Sequence, residues 1–113
     1  MLKTYYSIKR TVYVYDGIRG TNTEIPLYLD LCDHSPTGFN WGFLGSGCAQ
    51  LAFAIIYDFT EDIEFTNKYY FAFKKEVIAK LNHYEDFVIT GYNIEKWMEQ
   101  KRKEETKKNE IRI

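Results

Sequence analysis

The residues able to do chemistry crowd into one stretch, Asp30 to Gln50, which holds a histidine, two cysteines, two serines, four glycines and three aromatics. Asp33-His34-Ser35 supplies the side-chain types of an acid, a base and a nucleophile. Neighbours on one loop do not reach the mutual geometry of such a set, which is drawn from separate segments. His34 is therefore expected to hydrogen-bond the loop, and no catalytic residue is assigned. Gly45-Ser46-Gly47 stands directly before an apolar run. Free backbone N–H groups and the positive end of a helix dipole at that point suit an anion or a phosphate. No Lys follows, as it would in a Walker loop, and the third glycine of a dinucleotide fingerprint is missing. A tight turn that lets the loop pack on the helix accounts for the glycines at least as well.

Phe39, Trp41 and Phe43 alternate, so on an extended loop they point the same way, either to stack on a base or a partner or to lid the core. Gln50 is the one strongly polar side chain between Cys48 and Tyr57. It must be satisfied by the loop backbone or presented at the helix mouth, and either role ties loop to helix. Arg10 and Arg19 are the nearest candidates for a cation facing an anionic ligand. Asp30, Asp33, Asp58 and Glu76 have no metal-ligand spacing. The candidate ligand-binding set is thus His34, Ser35, Trp41, Gly45, Ser46, Gly47 and Gln50 with Arg10 and Arg19; no metal and no cofactor is expected.

Elements on both sides must hold this stretch. Thr4 to Tyr15 is rich in strand formers, and a reversal at Lys9-Arg10 keeps Arg10 off the face shared by Ile8 and Val12, which favours a hairpin. Asp16-Gly17 and Gly20-Thr21-Asn22-Thr23 read as a turn and a loop. After Pro26, Leu27, Leu29 and Leu31 alternate with Tyr28 and Asp30, the pattern of a core strand. Cys48 to Phe59 is apolar all round, hence a buried central helix with Ser46 as its N-cap. Thr60-Glu61-Asp62-Ile63 opens an amphipathic helix running to Leu81, with Phe65, Tyr69, Ala72, Phe73, Val77, Ile78 and Leu81 on its apolar face. Phe87 to Thr90 reads as a short strand, and a third helix starts near Ile94.

The whole is expected to be α+β: a small antiparallel sheet against a central apolar helix and two further helices. One domain spans 1–98, and the mixed-sign charge run of 99–113 is a solvated tail, helical or frayed. With 113 residues there is room for one core. A net charge of −1 gives no strong nucleic-acid footprint. The longest apolar run is too short to cross a membrane, and without a signal segment a cytoplasmic setting is expected. Cys32 and Cys48 are then buried thiols in preference to a disulfide.

The series Leu29-Asp30-Leu31-Cys32-Asp33-His34-Ser35-Pro36-Thr37-Gly38-Phe39-Asn40-Trp41-Gly42, continued by Gly45-Ser46-Gly47-Cys48-Ala49-Gln50-Leu51-Ala52, resembles the core motif of the family catalogued as domain of unknown function 6166. The resemblance extends from about Tyr6 to Trp97, with Phe73 to Leu81 similar to that family's second helix. Asp33 stands for a usual Asn, Asn40 for a usual acid and Cys48 for a usual proline, which removes a preorganised first helical turn. The resemblance brings no activity. It implies small bacterial and phage proteins, and hence a non-catalytic binding protein encoded by a phage or mobile element. Such a protein would inhibit a host defence system, in the manner of an anti-CRISPR or by sequestering a nucleotide signal. Its partner would be a host protein or a nucleotide. The alternatives are a nucleotide or nucleic-acid binding or hydrolysing protein using the Gly-rich loop, and a structural or regulatory interaction module.

Overall fold

The computed structural model describes residues 2–111, with side chains described up to residue 108. Two strands, β1 (Lys3–Ile8) and β2 (Thr11–Asp16), form the hairpin expected from the sequence, paired from Lys3↔Asp16 to Ile8↔Thr11. The two residues between them, Lys9 and Arg10, both take left-handed φ, 48° and 76°. That is the turn whose twist matches paired strands, made here without Asn or Gly. β3 (Thr21–Glu24) adds to the free side of β2, and β4 (Val88–Thr90) to the free side of β1, giving one antiparallel sheet in the order β3-β2-β1-β4. The inner face carries Tyr5, Ser7, Val12, Val14 and Ile89, all buried, while Tyr6 and Tyr13 stack on the outer face at 5.6 Å.

Three helices, α1 (Ser46–Thr60), α2 (Ile63–Glu76) and α3 (Gly91–Ile111), complete the fold, which is α+β. Every residue of α1 from Cys48 to Ile56 is buried, as a helix apolar all round must be. α1 ends where Glu61 turns left-handed at φ 52° and its N–H meets the Tyr57 carbonyl at 2.7 Å. Asp62 then caps α2 by accepting the Phe65 N–H at 3.0 Å. One core joins Tyr5, Val12 and Val14 of the sheet to Leu51, Ile55 and Ile56 of α1, Phe73 of α2, and Ile94, Trp97 and Met98 of α3. No described helix is long and apolar enough to cross a membrane.

Several elements differ from expectation. Leu27 to Leu31 is not a core strand: Tyr28 turns left-handed at φ 57°, Leu31 and Cys32 donate back to its carbonyl at 3.0 Å, and Leu31 is exposed. The third strand is instead Thr21–Glu24, where a loop was expected; all four residues are exposed, so no apolar alternation marks it. Ser46 is inside α1, and the N-cap position is Gly45, which has no side chain to cap with. α2 stops at Glu76, and Ile78–Lys80 forms a separate 3-10 turn. α3 starts at Gly91, three residues before the expected Ile94, because Thr90 Oγ1 accepts the Asn93 N–H at 3.1 Å. The charge run continues α3, with Lys101 bonded to Glu76 at 2.6 Å and Glu105 to Lys68 and Tyr69 of α2. Residues 112 and 113 of that run lie outside the described residues.

Candidate functional site

The link between loop and helix is Gln50, fully buried at the start of the second turn of α1. Its Oε1 accepts the N–H groups of His34 at 2.7 Å and Ser35 at 3.0 Å. Its Nε2 donates to the carbonyls of Leu27 at 2.6 Å and Cys32 at 2.8 Å. One amide thus does for the 27–35 segment what a partner strand would do: it satisfies two donors and two acceptors of its backbone, that of Ser35 fully buried and the others partly so. This accounts for the missing strand at Leu27 to Leu31. It also places Gln50 beneath the loop, out of a ligand's reach.

Trp41 is equally buried, its indole N–H donating to the Glu85 carbonyl at 3.0 Å and its ring edge-on to Phe87 at 4.8 Å. The shared direction expected for Phe39, Trp41 and Phe43 is lost because Gly42 bends the chain at φ 89°. A Cβ on Gly42 would stand 2.6 Å from the His83 backbone, so this close approach needs glycine. Across the bend, the Gly42 N–H meets the Ile78 carbonyl at 3.0 Å, and His83 Nδ1 donates to the Trp41 carbonyl at 2.8 Å, which fixes its tautomer. Beyond it, Phe43 and Leu44 are thrown outward. The rings of Phe43, His83 and Tyr84 follow one another at centroid distances of 5.4 and 4.8 Å.

Arg10 joins this assembly. Its guanidinium lies 3.9 Å over the Trp41 ring, donates to the His83 carbonyl at 2.6 Å and reaches Asn40 Oδ1. Arg19 does not: it sits on the β2–β3 turn, 3.9 Å from Asp16, far exposed. Asn40, His83 and Asp86 are members of the face that the sequence did not single out. The one hint was Asn40 replacing an acid, a change that leaves the Arg10 charge facing a neutral acceptor.

Gly45, Ser46 and Gly47 form the mouth of α1. A shallow depression of about 230 Å³ opens there, lined by Ser35, Thr37, Gly38, Phe39, Asn40, Phe43, Ser46 and Gly47. Gly47 is held close to the loop, where a Cβ would come within 2.9 Å of Asn40 Cβ. With no side-chain cap and no acid in the first turn, the α1 amides at this mouth carry an uncompensated positive end.

His34 is exposed on the other side of the loop, where its Nε2 shares a hydrogen bond with the Tyr70 hydroxyl at 2.7 Å and its ring meets Phe71 edge-on. Burial pushes the Tyr70 phenol up to about 12, with Cys32 beside it adding to the rise, and burial also pushes the Cys32 thiol up. Both shifts favour the protonated forms. Cys32 and Cys48 are unbridged. The four carboxylates considered for a metal are dispersed. Asp58 accepts from Tyr5 at 2.6 Å, Tyr28 at 3.3 Å and Lys3 at 3.3 Å, and Glu76 from Trp97 at 3.0 Å and from Lys101. Among the described residues no group of three or more His, Cys, Asp or Glu could hold a metal ion.

The arrangement is a set of turns fixed by buried amides and by one arginine, with aromatic side chains on its outer side and an amide-lined hollow beside them. Comparison with curated proteins and with solved structures finds no match. A protein family does match, over residues 8–100, a span that takes in Arg10, the Gly-rich loop, Gln50 and the 82–86 turn: the chain belongs to the family of unknown function DUF6166.

Proposed function

We propose that this chain is a small non-catalytic binding protein that docks a partner protein on the face made by the Gly-rich loop, the β1–β2 turn and the 82–86 turn. The observation that carries the reading is the pairing of exposure with rigidity. Phe43, Leu44 and Tyr84 are 44%, 66% and 92% exposed, yet the backbone beneath them is tied to Arg10, Trp41, His83 and Ile78. Large apolar side chains held in place before contact lose little freedom on binding, which is what interface anchors do. The setting we propose is the cytoplasm of a host cell, with a phage or mobile element as source and a host defence component as partner.

Phage plating on hosts that each carry one defence system tests this, with the chain supplied as wild type or as the Phe43→Ser, Tyr84→Ser double variant. Wild type should restore plating on at least one host, and the folded double variant should not. Rescue by neither on any host overturns the anti-defence setting, and equal rescue by both overturns the face.

A second reading, nucleotide binding at the mouth of α1, is favoured by the hollow lined with hydroxyls and free first-turn amides. Its volume of about 230 Å³ is below the 300–1,000 Å³ usual for small-molecule sites, and Arg10 is already engaged, so it ranks second. Thermal shift with linear and cyclic nucleotides tests it: stabilisation lost in Gly47→Val supports the hollow, and no shift with any of them removes it.

A further inference from the structure

Asn-Gly makes a two-residue turn of this hand at least cost, because both residues take positive φ. Here they are Lys9 and Arg10 at φ 48° and 76°, so the turn keeps two side chains where local preference would discard one. Strain of this sort persists where the surroundings over-determine it. The Lys9 N–H is held by Asp86 Oδ1 at 3.0 Å, and the rest of the restraint comes from the Arg10 side chain. Its two nitrogens diverge to acceptors on different segments, the His83 carbonyl at 2.6 Å and Asn40 Oδ1, while the plane lies 3.9 Å over Trp41. Asn40 Oδ1 also takes the Trp41 N–H at 2.9 Å, so the guanidinium closes a bonded circuit through the loop. Both acceptors are neutral, which is the pattern of a clamp and not of an ion pair.

We infer that Arg10 is a positioning residue whose guanidinium makes the β1–β2 turn, the 38–44 loop and the 82–86 turn open and close as one unit, and thereby holds the docking face in shape. The inference rests on the docking reading above. A lysine cannot replace it, since one ammonium group does not reach two divergent acceptors while lying flat on an indole. The role differs from that of a cation waiting for an anionic ligand, because the donors are spent inside the fold.

Hydrogen exchange resolved at single amides tests the clamp. The reporters are Asn40 N–H, bonded to Gly47 O at 3.1 Å, Gly42 N–H to Ile78 O at 3.0 Å, and Glu85 N–H to Asn82 O at 3.3 Å. The variants are Arg10→Ala, Arg10→Lys and the pair Lys9→Asn with Arg10→Gly, which supplies the preferred turn while deleting the clamp; Lys9→Asn alone is the control. In all three clamp variants the reporters should exchange at least about tenfold faster, and together, while core amides such as Val14 and Ile55 keep wild-type rates. The control should match wild type. Reporters that hold their rates, or that loosen separately, overturn the inference. Unfolding of all three variants would also overturn it, by making Arg10 a determinant of the whole fold. Loosened reporters with plating rescue retained leave the clamp standing and remove the docking reading. Unmoved reporters with rescue lost remove the clamp and make Arg10 a contact residue.

Discussion

Replacing Gln50 by Leu keeps the volume of a fully buried side chain and deletes four hydrogen bonds at once. Left behind are the N–H groups of His34 and Ser35 and the carbonyls of Leu27 and Cys32. Each neutral bond contributes about 1 kcal/mol net, and a buried group left unpaired costs about 1–3 kcal/mol. Water can reach the amide of exposed His34 more easily than that of buried Ser35, which trims the sum. The expected loss is about 3–4 kcal/mol, a large share of the 5–15 kcal/mol of an ordinary domain, or a fall in Tm of roughly 12–16 °C for a chain of this size. Urea titration followed by tryptophan fluorescence and far-UV circular dichroism reads it directly. Gln50→Glu is the companion variant: it would aim a carboxylate oxygen at the Leu27 and Cys32 carbonyls, so it should be no better at neutral pH and should recover partly in acid. A loss below about 1 kcal/mol in Gln50→Leu would refute the reasoning, since the 27–35 backbone would then be satisfied without the amide.

Gly42→Ala must hold a side chain at φ 89° and 2.6 Å from the His83 backbone, so a loss of about 2–4 kcal/mol is expected by urea denaturation; a neutral result would mean the loop is free to shift. In alkali, Tyr5 is held above its ordinary value of 10.0 by burial and then by Asp58, Tyr28 rises to about 12 for the same two reasons, and Tyr70 rises to about 12 by burial and then Cys32. Their folded pKa values exceed the unfolded ones, so the stability they contribute is whole below pH 10 and drains as pH climbs through about 12; urea midpoints should fall over that window, and less steeply in Tyr5→Phe. In acid, burial opposes ionisation of Glu76, yet the bonds from Lys101 and Trp97 hold its carboxyl below the ordinary 4.5. That contribution is present above 4.5 and lost as pH falls below it, so Trp97 should change its emission there in wild type and not in Glu76→Gln.

Much of the architecture was legible because burial leaves a period. The all-apolar α1 had to be central, and the spacing from Phe65 to Phe73 had to be a helix face. The conflict of Arg10 with Ile8 and Val12 pointed to a hairpin, and the hairpin is there. Leu27-Leu29-Leu31 misled because alternation records which side chains are apolar, not what satisfies the backbone between them, and here a glutamine from a helix does so. Thr21 to Glu24 was illegible for the opposite reason: a strand with both faces in water has no pattern to show. At the site, Gln50 was readable as a tie between loop and helix because a lone amide in an apolar helix demands partners. The path of the aromatic loop was not, because a single glycine at φ 89° cancels alternation. Arg10 was noticed for its charge, whereas its position is explained by donors and a flat face.

One of the two edges of the sheet is β3, and the same residues that hid that strand from sequence reading give it a further property. Edge strands invite zippering onto neighbouring chains, and the segments that do so are long, flat and apolar. Thr21–Glu24 is four residues of Thr, Asn, Thr and Glu. The Ile25 N–H still bonds the Val12 carbonyl at 3.1 Å, and Pro26 follows without a donor, so the ladder cannot be extended along the chain. The β3 edge is therefore short and hydrophilic, which disfavours the joining of copies sheet to sheet along that side.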